Sequence, residues 1–145
     1  MKYIFVTAYD DFSDYELLRR IYDKLLSKTN KIDLCFYCTI GSSGDNTCAK
    51  YIRKNGMQMI DWLNPRKGKT IKEERKKMLL ACDYAIIIEN GYHKGMITAA
   101  DQSMKYVKKQ VVIIDINLQE LSKTDKEIGK TQTYKYDTNG FYKKE

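Results

Sequence analysis

The chain is poor in the residue types that build metal centres. It contains one histidine, His93, and four cysteines, of which only Cys35 and Cys38 form a C-x-x-C pair. The surrounding "DLCFYC" is typical of a strand, where positions three apart point to opposite faces of the sheet. Because no second pair and no further histidine complete a tetrahedral shell, we predict buried structural thiols and no metal site.

Long apolar segments are also missing. No stretch approaches the roughly 20 apolar residues of a membrane span, and the N-terminal "MKYIFVTAYDD" does not resemble a secretory signal. The only proline, Pro65, falls in a predicted loop, and the sequence shows no internal repeat. With 145 residues, the chain suits one domain with one core. We expect a cytoplasmic protein with no membrane partner and no cofactor.

Positive charge exceeds negative charge, and the excess is uneven. The net charge is +7, and residues 64–78, "NPRKGKTIKEERKKM", carry seven basic residues against two acidic ones. Such a segment indicates either a solvated helix face or a rim that attracts anions. Nucleic acid fits the sign of the charge, but the segment lacks interleaved aromatic residues and no DNA-binding motif accompanies it.

Short apolar runs alternate with amphipathic segments along the chain. Helical periodicity predicts helices that follow Ser13 and that span 47–55, 70–82 and 97–109. "DYAIIIE" is a continuous apolar run, which is typical of a central strand covered on both faces. This βαβαβαβαβ order predicts an α/β, Rossmann-like three-layer fold with a five-stranded, mainly parallel sheet of order 3-2-1-4-5. The five predicted strands are 2–7, 31–40, 57–62, 83–89 and 110–116.

The last part of the chain differs in composition from the rest. We assign residues 1–116 to the Rossmann-like domain and residues 117–145 to a polar extension that packs on it or trails from it. Within the extension, we expect a short helix at 118–128 and an extra edge strand at "TQTYKYD".

Three polar loops follow the first, second and fourth predicted strands: "TAYDDFSD", "TIGSSGDNT" and "ENGYHKGMI". In open parallel sheets, ligands bind beyond the carboxyl ends of the strands. Two of these loops carry a glycine pair, and each leads into a helix whose free N–H groups and positive dipole end attract phosphate. Ser42, Ser43 and Thr47 add hydroxyl groups and Lys94 adds a charge, so we predict a phosphate-bearing ligand. A plain tight turn is the alternative.

The order of these motifs carries a resemblance. "T-x-Y-D-D-F-S-D", "G-S-S-G-D-N-T-C-A", "E-E-R-K-K-M" and "N-G-Y-H-K-G-M" follow one another between residues 2 and about 115. The chain resembles the YspA-like branch of the SLOG superfamily, which also contains DprA and the LOG-type phosphoribohydrolases. The resemblance implies a Rossmann-like fold used for nucleotides and their derivatives, and pairing of subunits, for which Trp62, Tyr51 and Met57 are candidates. The loops and the resemblance together predict the ligand- or phosphate-binding residues Thr7, Ala8, Tyr9, Gly41, Ser42, Ser43, Gly44, Asp45, Arg75, Asn90, Gly91, His93, Lys94, Gly95 and Met96.

Departures from the family pattern leave the catalytic residues unknown. A family aspartate is Asn46 here and a family threonine is Met96, and the glutamate of LOG enzymes would fall on Ala99. We therefore favour a protein that binds a nucleotide or nucleotide-derived molecule as a sensor or sequestering agent. The Lys-, Ile- and Tyr-rich composition indicates an AT-rich genome, such as that of a low-GC bacterium or its phage. A nucleotide N-glycosidic hydrolase or transferase, with a carboxylate from Asp10, Asp11, Asp45 or Asp101, and a DprA-like nucleic-acid-binding protein remain as alternatives.

Overall fold

The computed structural model describes residues 1–63, 70–90, 94–115, 131–137 and 140–144. Within them, one sheet of seven strands has the order β3-β2-β1-β4-β5-β6-β7. Its strands are β1 (Lys2–Ala8), β2 (Leu34–Tyr37), β3 (Gln58–Ile60), β4 (Tyr84–Glu89), β5 (Gln110–Asp115), β6 (Thr131–Asp137) and β7 (Gly140–Lys144). The helices are α1 (Tyr15–Leu25), α2 (Ser43–Lys54), α3 (Ile71–Leu80) and α4 (Lys94–Tyr106).

The first five strands are all parallel, which confirms the predicted α/β fold and its strand order 3-2-1-4-5. The strand expected at "TQTYKYD" is β6, which pairs in parallel with β5. It is not the predicted edge strand, because β7 pairs with its other side and forms the edge of the sheet. The antiparallel strand β7 was not predicted, although an "NG" pair between two β-rich runs is a hairpin signal. The expected helix at 118–128 lies outside the described residues.

Strand β4 lies at the centre of the hydrophobic core. Ile86 and Ile88 face a cluster built with α1 and α2, whereas Ala85 and Ile87 face a second cluster built with α3 and α4. All four side chains are at most 4% exposed. Helices on both faces explain why this strand is apolar at every position except its ends.

Two helices begin earlier than the sequence predicted. Helix α2 begins at Ser43 because Ser42 is its N-cap, and the Ser42 hydroxyl accepts a hydrogen bond from the Asp45 N–H at 3.2 Å. This cap offsets the poor helix propensity of Gly44. Helix α4 begins at Lys94, three residues before the predicted start. The glycine-containing segments are therefore partly first turns of helices and not only loops.

The four cysteines are free and buried, as predicted. Cys38 packs in the cluster beneath α1 and α2, and Cys35, three residues earlier, points to the other face. Burial raises the pKa of Cys48 and of Cys82 to about 12, so both thiols stay protonated at neutral pH. Among the described residues, no three or more His, Cys, Asp or Glu side chains are arranged to hold a metal ion.

Two residues proposed for a subunit interface are part of the core. Tyr51 is 1% exposed and Met57 is 8% exposed. The Tyr51 ring packs edge-on against Tyr22 with 5.0 Å between the ring centroids, and its hydroxyl donates to Asp23 Oδ1 at 2.7 Å. The prediction was wrong for these two residues because their apolar surface is used inside the domain. No helix in the described ranges is long and apolar enough to cross a bilayer.

Candidate functional site at the carboxyl edge of the sheet

The loop after β1 and the first turn of α2 are joined by polar contacts where the parallel strands end, a region that we call the carboxyl edge. The Thr7 hydroxyl donates to Asp45 Oδ1 at 2.8 Å, and the Ala8 N–H also donates to the Asp45 side chain. In addition, the Gly44 N–H donates to the Asp10 carbonyl at 3.2 Å. The start of α2 is thus fixed against the end of β1.

Gly44 permits this close approach. A Cβ atom at this position would collide with the carbonyl groups of Ala8 and Tyr9, which belong to the backbone and have little freedom to yield. The sequence predicted Gly44 as a ligand- or phosphate-binding residue. In the structure, the space beside it is taken by the protein's own chain, so its role is to dock the helix.

Asp45 is a partly buried carboxylate at this edge. Burial raises its pKa above the usual aspartate value, and the neighbouring Asp10 carboxylate raises it further. Hydrogen bonds from Thr7, Ala8 and Ser42 act in the opposite direction, but they are outweighed by burial. A carboxylate with a raised pKa among polar groups is suited to exchange protons or to bind hydroxyl groups.

We expect Asp45→Asn to be at least as stable as the wild type at pH 7, since asparagine can still accept from Thr7 and carries no buried charge. The raised folded-state pKa means that the native protein binds more protons than the unfolded chain above about pH 4, so wild-type stability falls as the pH rises through this window. Melting temperatures of both proteins between pH 3 and 8 test this. A variant that melts lower than the wild type at pH 7 would contradict it.

Arg75 approaches the same edge from α3. Its Nη1 donates to Gln102 Oε1 at 3.0 Å, and its guanidinium carbon lies 5.9 Å from the centre of the Trp62 ring. Burial lowers its pKa, while the negative charge of Asp45 acts in the opposite direction. The bond to Gln102 is its only hydrogen bond within the described ranges, where it also has no ion pair, and its buried Nε–H has no acceptor.

The structure adds three residues that were not predicted as ligand contacts. Trp62 follows β3, packs edge-on against Phe5 at 6.0 Å between ring centroids, and has a buried Nε1–H with no acceptor in the described structure. Glu89 ends β4 and is only 4% exposed. In the sequence, Glu89 could have been noticed as the acidic residue at the end of an apolar run. Gln102, deep in α4, gave no such signal because its role depends on the packing of α3 on α4.

Other residues that were predicted to contact the ligand make contacts within the protein. The Tyr9 ring packs edge-on against Phe12 with 5.5 Å between centroids, and burial raises its pKa. The Gly41 N–H donates to Asn46 Oδ1 at 3.0 Å. The Thr47 hydroxyl, proposed as a ligand donor, instead donates to the Ser43 carbonyl at 2.7 Å.

The third predicted loop is only partly within the described residues. Asn90 follows β4 at the carboxyl edge, and Gly91 and His93 lie outside the described ranges. Lys94, Gly95 and Met96 form the first turn of α4 instead of the predicted turn before it. The positive end of a 13-residue helix therefore begins at this edge, a few residues after β4.

The carboxylates considered for catalysis are separated by the fold. Asp101 is exposed and lines a hollow between α3 and α4 with Lys72, Lys105 and Tyr106. Ala99, where LOG enzymes would place their glutamate, is 1% exposed and packs in the core. Asp10 and Asp11 are exposed, which leaves Asp45 as the most buried of the four candidates.

Comparison with known proteins does not assign an activity to the chain. No protein-family model and no curated protein match the sequence. Among solved structures, the chain is similar to a Vibrio parahaemolyticus protein of unknown function, with a TM-score of 0.42 and 11% sequence identity. The similarity covers 97% of this chain and 96% of that chain.

Proposed function

We propose that the protein binds a nucleotide or a nucleotide-derived small molecule at the carboxyl edge, in the manner of the SLOG proteins of the YspA-like branch that its motifs resemble. The observation that carries the proposal is Arg75. Its guanidinium is half-buried at a sheet edge where ligands bind in parallel α/β folds, it has no ion pair among the described residues, and its Nε–H is unused. A bound phosphate would compensate its charge and accept its hydrogen bonds.

The two glycine loops contribute unequally to this proposal. In the first turn of α2, the Gly44 N–H already donates to Asp10 and the Asp45 N–H to Ser42, so these groups are occupied. Helices α3 and α4 are in contact, and Arg75 bonds Gln102 of α4, the helix whose first turn begins at the carboxyl edge. We therefore place the phosphate between Arg75 and the start of α4, and we assign Asp45 and Thr7 to a ribose hydroxyl.

Arg75→Gln tests the proposal directly. We expect affinity for the bound nucleotide to fall about tenfold or more, about 1.4 kcal/mol, since a charge-assisted hydrogen bond is lost. The exposed Arg20 on α1 offers the control Arg20→Gln, which should bind as the wild type does. Calorimetric titration with mononucleotides, cyclic dinucleotides and ADP-ribose derivatives measures both.

A thermal-shift screen with the same panel should precede the titrations. A ligand at 100 times its dissociation constant stabilises the folded state by about 2.7 kcal/mol. The proposal fails if none of these compounds shifts the wild-type melting temperature, or if Arg75→Gln and the wild type bind with equal affinity.

An enzymatic function is the second candidate, and the raised pKa of Asp45 favours it. In this function, the Asp45 carboxyl would donate a proton to the departing base while a water molecule replaces the base on the sugar carbon. Chromatography of each binding mixture separates the two functions. Recovery of the intact ligand supports capture or sensing, whereas free base that Asp45→Asn no longer releases would establish N-glycosidic cleavage.

Nucleic-acid binding has one structural observation in its favour. The basic segment lacks aromatic residues of its own, but Tyr106 of α4 lies beside it, with Lys76 Nζ 5.2 Å from its ring centroid. The pair is not unusual on this surface, because Lys50 and Lys54 approach the Tyr15 ring in the same way. Steep loss of affinity for a single-stranded oligonucleotide with rising salt would favour this function. A nucleotide pocket predicts a weaker dependence.

A further inference from the structure

Gln102 connects α4 to α3 through both ends of its amide. Its Oε1 accepts from Arg75 Nη1 at 3.0 Å, and its Nε2 donates to the Lys72 carbonyl at 3.1 Å. The side chain is 7% exposed, so these bonds form in surroundings with little water to compete. Since the carbonyl of Lys72 can only accept, it fixes the amide with its oxygen toward Arg75.

The position of this bond on the guanidinium determines which donors remain. Nη1 lies on the same side as Cδ, whereas Nε–H and one N–H of Nη2 point together to the other side. These two parallel donors match the two oxygens of a phosphate or carboxylate. Gln102 occupies Nη1 only, and the Nε–H has no acceptor in the described part of the chain. Within the described part of the chain, no other hydrogen bond therefore uses the two-donor edge of Arg75.

The guanidinium of Arg75 also lies near the indole ring of Trp62. The guanidinium carbon lies 5.9 Å from the centre of its ring, within the range of a cation–π contact. An arginine side chain loses roughly 2 kcal/mol of rotamer entropy when it is fixed in one geometry. If Gln102 and Trp62 fix it beforehand, an arriving anion does not bear this cost.

We propose that Gln102 is a positioning residue, which holds Arg75 so that its Nε and Nη2 edge faces a phosphate oxygen pair at the carboxyl edge. The orientation itself is a property of the free protein, and its benefit to binding rests on the proposed function. Gln102 lies eight residues after Lys94, two turns along the helix whose first turn reaches the same edge. The proposed phosphate site at the start of α4 and the residue that positions Arg75 thus belong to the same helix.

The first measurement needs no ligand. In nitrogen-15 NMR spectra of the full chain, the Arg75 Nη signals, assigned by their loss in Arg75→Lys, should show restricted rotation in the wild type. Gln102→Met keeps the length of the side chain but removes both hydrogen bonds, and rotation should become fast. Gln102→Glu keeps an acceptor for Nη1 and should preserve the restriction. Equal rotation in the wild type and Gln102→Met overturns the proposal.

The second measurement uses AMP and inorganic pyrophosphate as probes. Their binding is detected by the change in fluorescence of Trp62, the only tryptophan. We expect Gln102→Met to bind about tenfold more weakly than the wild type. Gln102→Glu should also bind weakly, although it keeps Arg75 fixed, because its carboxylate neutralises the charge that attracts the anion. The exposed Gln58 on β3 supplies the control Gln58→Met, with unchanged affinity.

The outcomes separate the two proposals. Binding by the wild type with unchanged affinity in Gln102→Met overturns the positioning role but leaves the proposed function standing. No binding of any nucleotide by the wild type overturns the proposed function, whereas faster rotation in Gln102→Met would still support the orientation of Arg75 by Gln102. Weaker binding together with faster rotation supports both.

Discussion

Ala99→Glu is expected to lower the free energy of unfolding by about 4 kcal/mol or more and the melting temperature by roughly 10–15 °C. The resemblance noted in the sequence assigns the glutamate of LOG enzymes to this position, so this variant introduces that residue. In this chain, however, Ala99 is 1% exposed and packs with Leu79, Val107 and other apolar side chains. The new side chain would place a carboxylate and one additional methylene group in a filled core.

The pH dependence of this variant identifies the cause. Burial would raise the folded-state pKa of the new carboxyl above its unfolded value of about 4.3. The unfolded state then binds fewer protons than the folded state between these two pKa values, and stability falls as the pH rises through that window. The deficit relative to the wild type should therefore be largest at neutral pH and smaller near pH 4.

Ala81→Glu is the matched control, since Ala81 is exposed at the end of α3. It should change the stability by no more than about 0.5 kcal/mol. Thermal unfolding followed by circular dichroism measures both variants. The opposite outcome is an Ala99→Glu variant with the melting temperature of the wild type that releases free base from a nucleotide. It would show that α4 presents this position to the ligand and not to the core.

Gly44→Ala is the second large effect, with an expected loss of about 3 kcal/mol and a drop of roughly 10 °C in melting temperature. Alanine in a helix normally gains about 0.5–1 kcal/mol over glycine. Here the added Cβ would collide with backbone atoms of Ala8 and Tyr9, so α2 or the end of β1 must move. Such a shift would also strain the bond from Thr7 to Asp45, and under the proposed function nucleotide affinity should fall with stability.

Gly56→Ala separates the stability lost through a steric collision from the stability lost through an unfavourable backbone conformation. Gly56 follows α2 with a φ of +64°, and a Cβ there would meet no atom within 4 Å. Its replacement should cost about 1–2 kcal/mol through the left-handed conformation alone, with no effect on ligand affinity. Denaturant unfolding of the two variants provides the comparison. A smaller loss for Gly44→Ala than for Gly56→Ala would contradict the docking of α2 on the β1 loop.

The sequence by itself determined the sheet and its strand order. Short β-rich runs alternate with helical periodicity, and right-handed crossovers restrict such a pattern to few topologies. The buried run of β4 and the buried cysteines followed from local composition in the same way. The hairpin partner β7 was missed, although its turn residues were present in the sequence.

The starts of α2 and α4 and the contacts at the carboxyl edge were decided only by the tertiary structure. A cap at Ser42 extends α2 through Gly44, and the close approach of Ala8 and Tyr9 gives that glycine a packing role. Arg75 meets Gln102 and Trp62 across 27 and 13 positions of sequence, respectively, so no local pattern could reveal them. Local patterns report which face of an element is apolar, whereas the partners of a buried polar group depend on how distant elements pack.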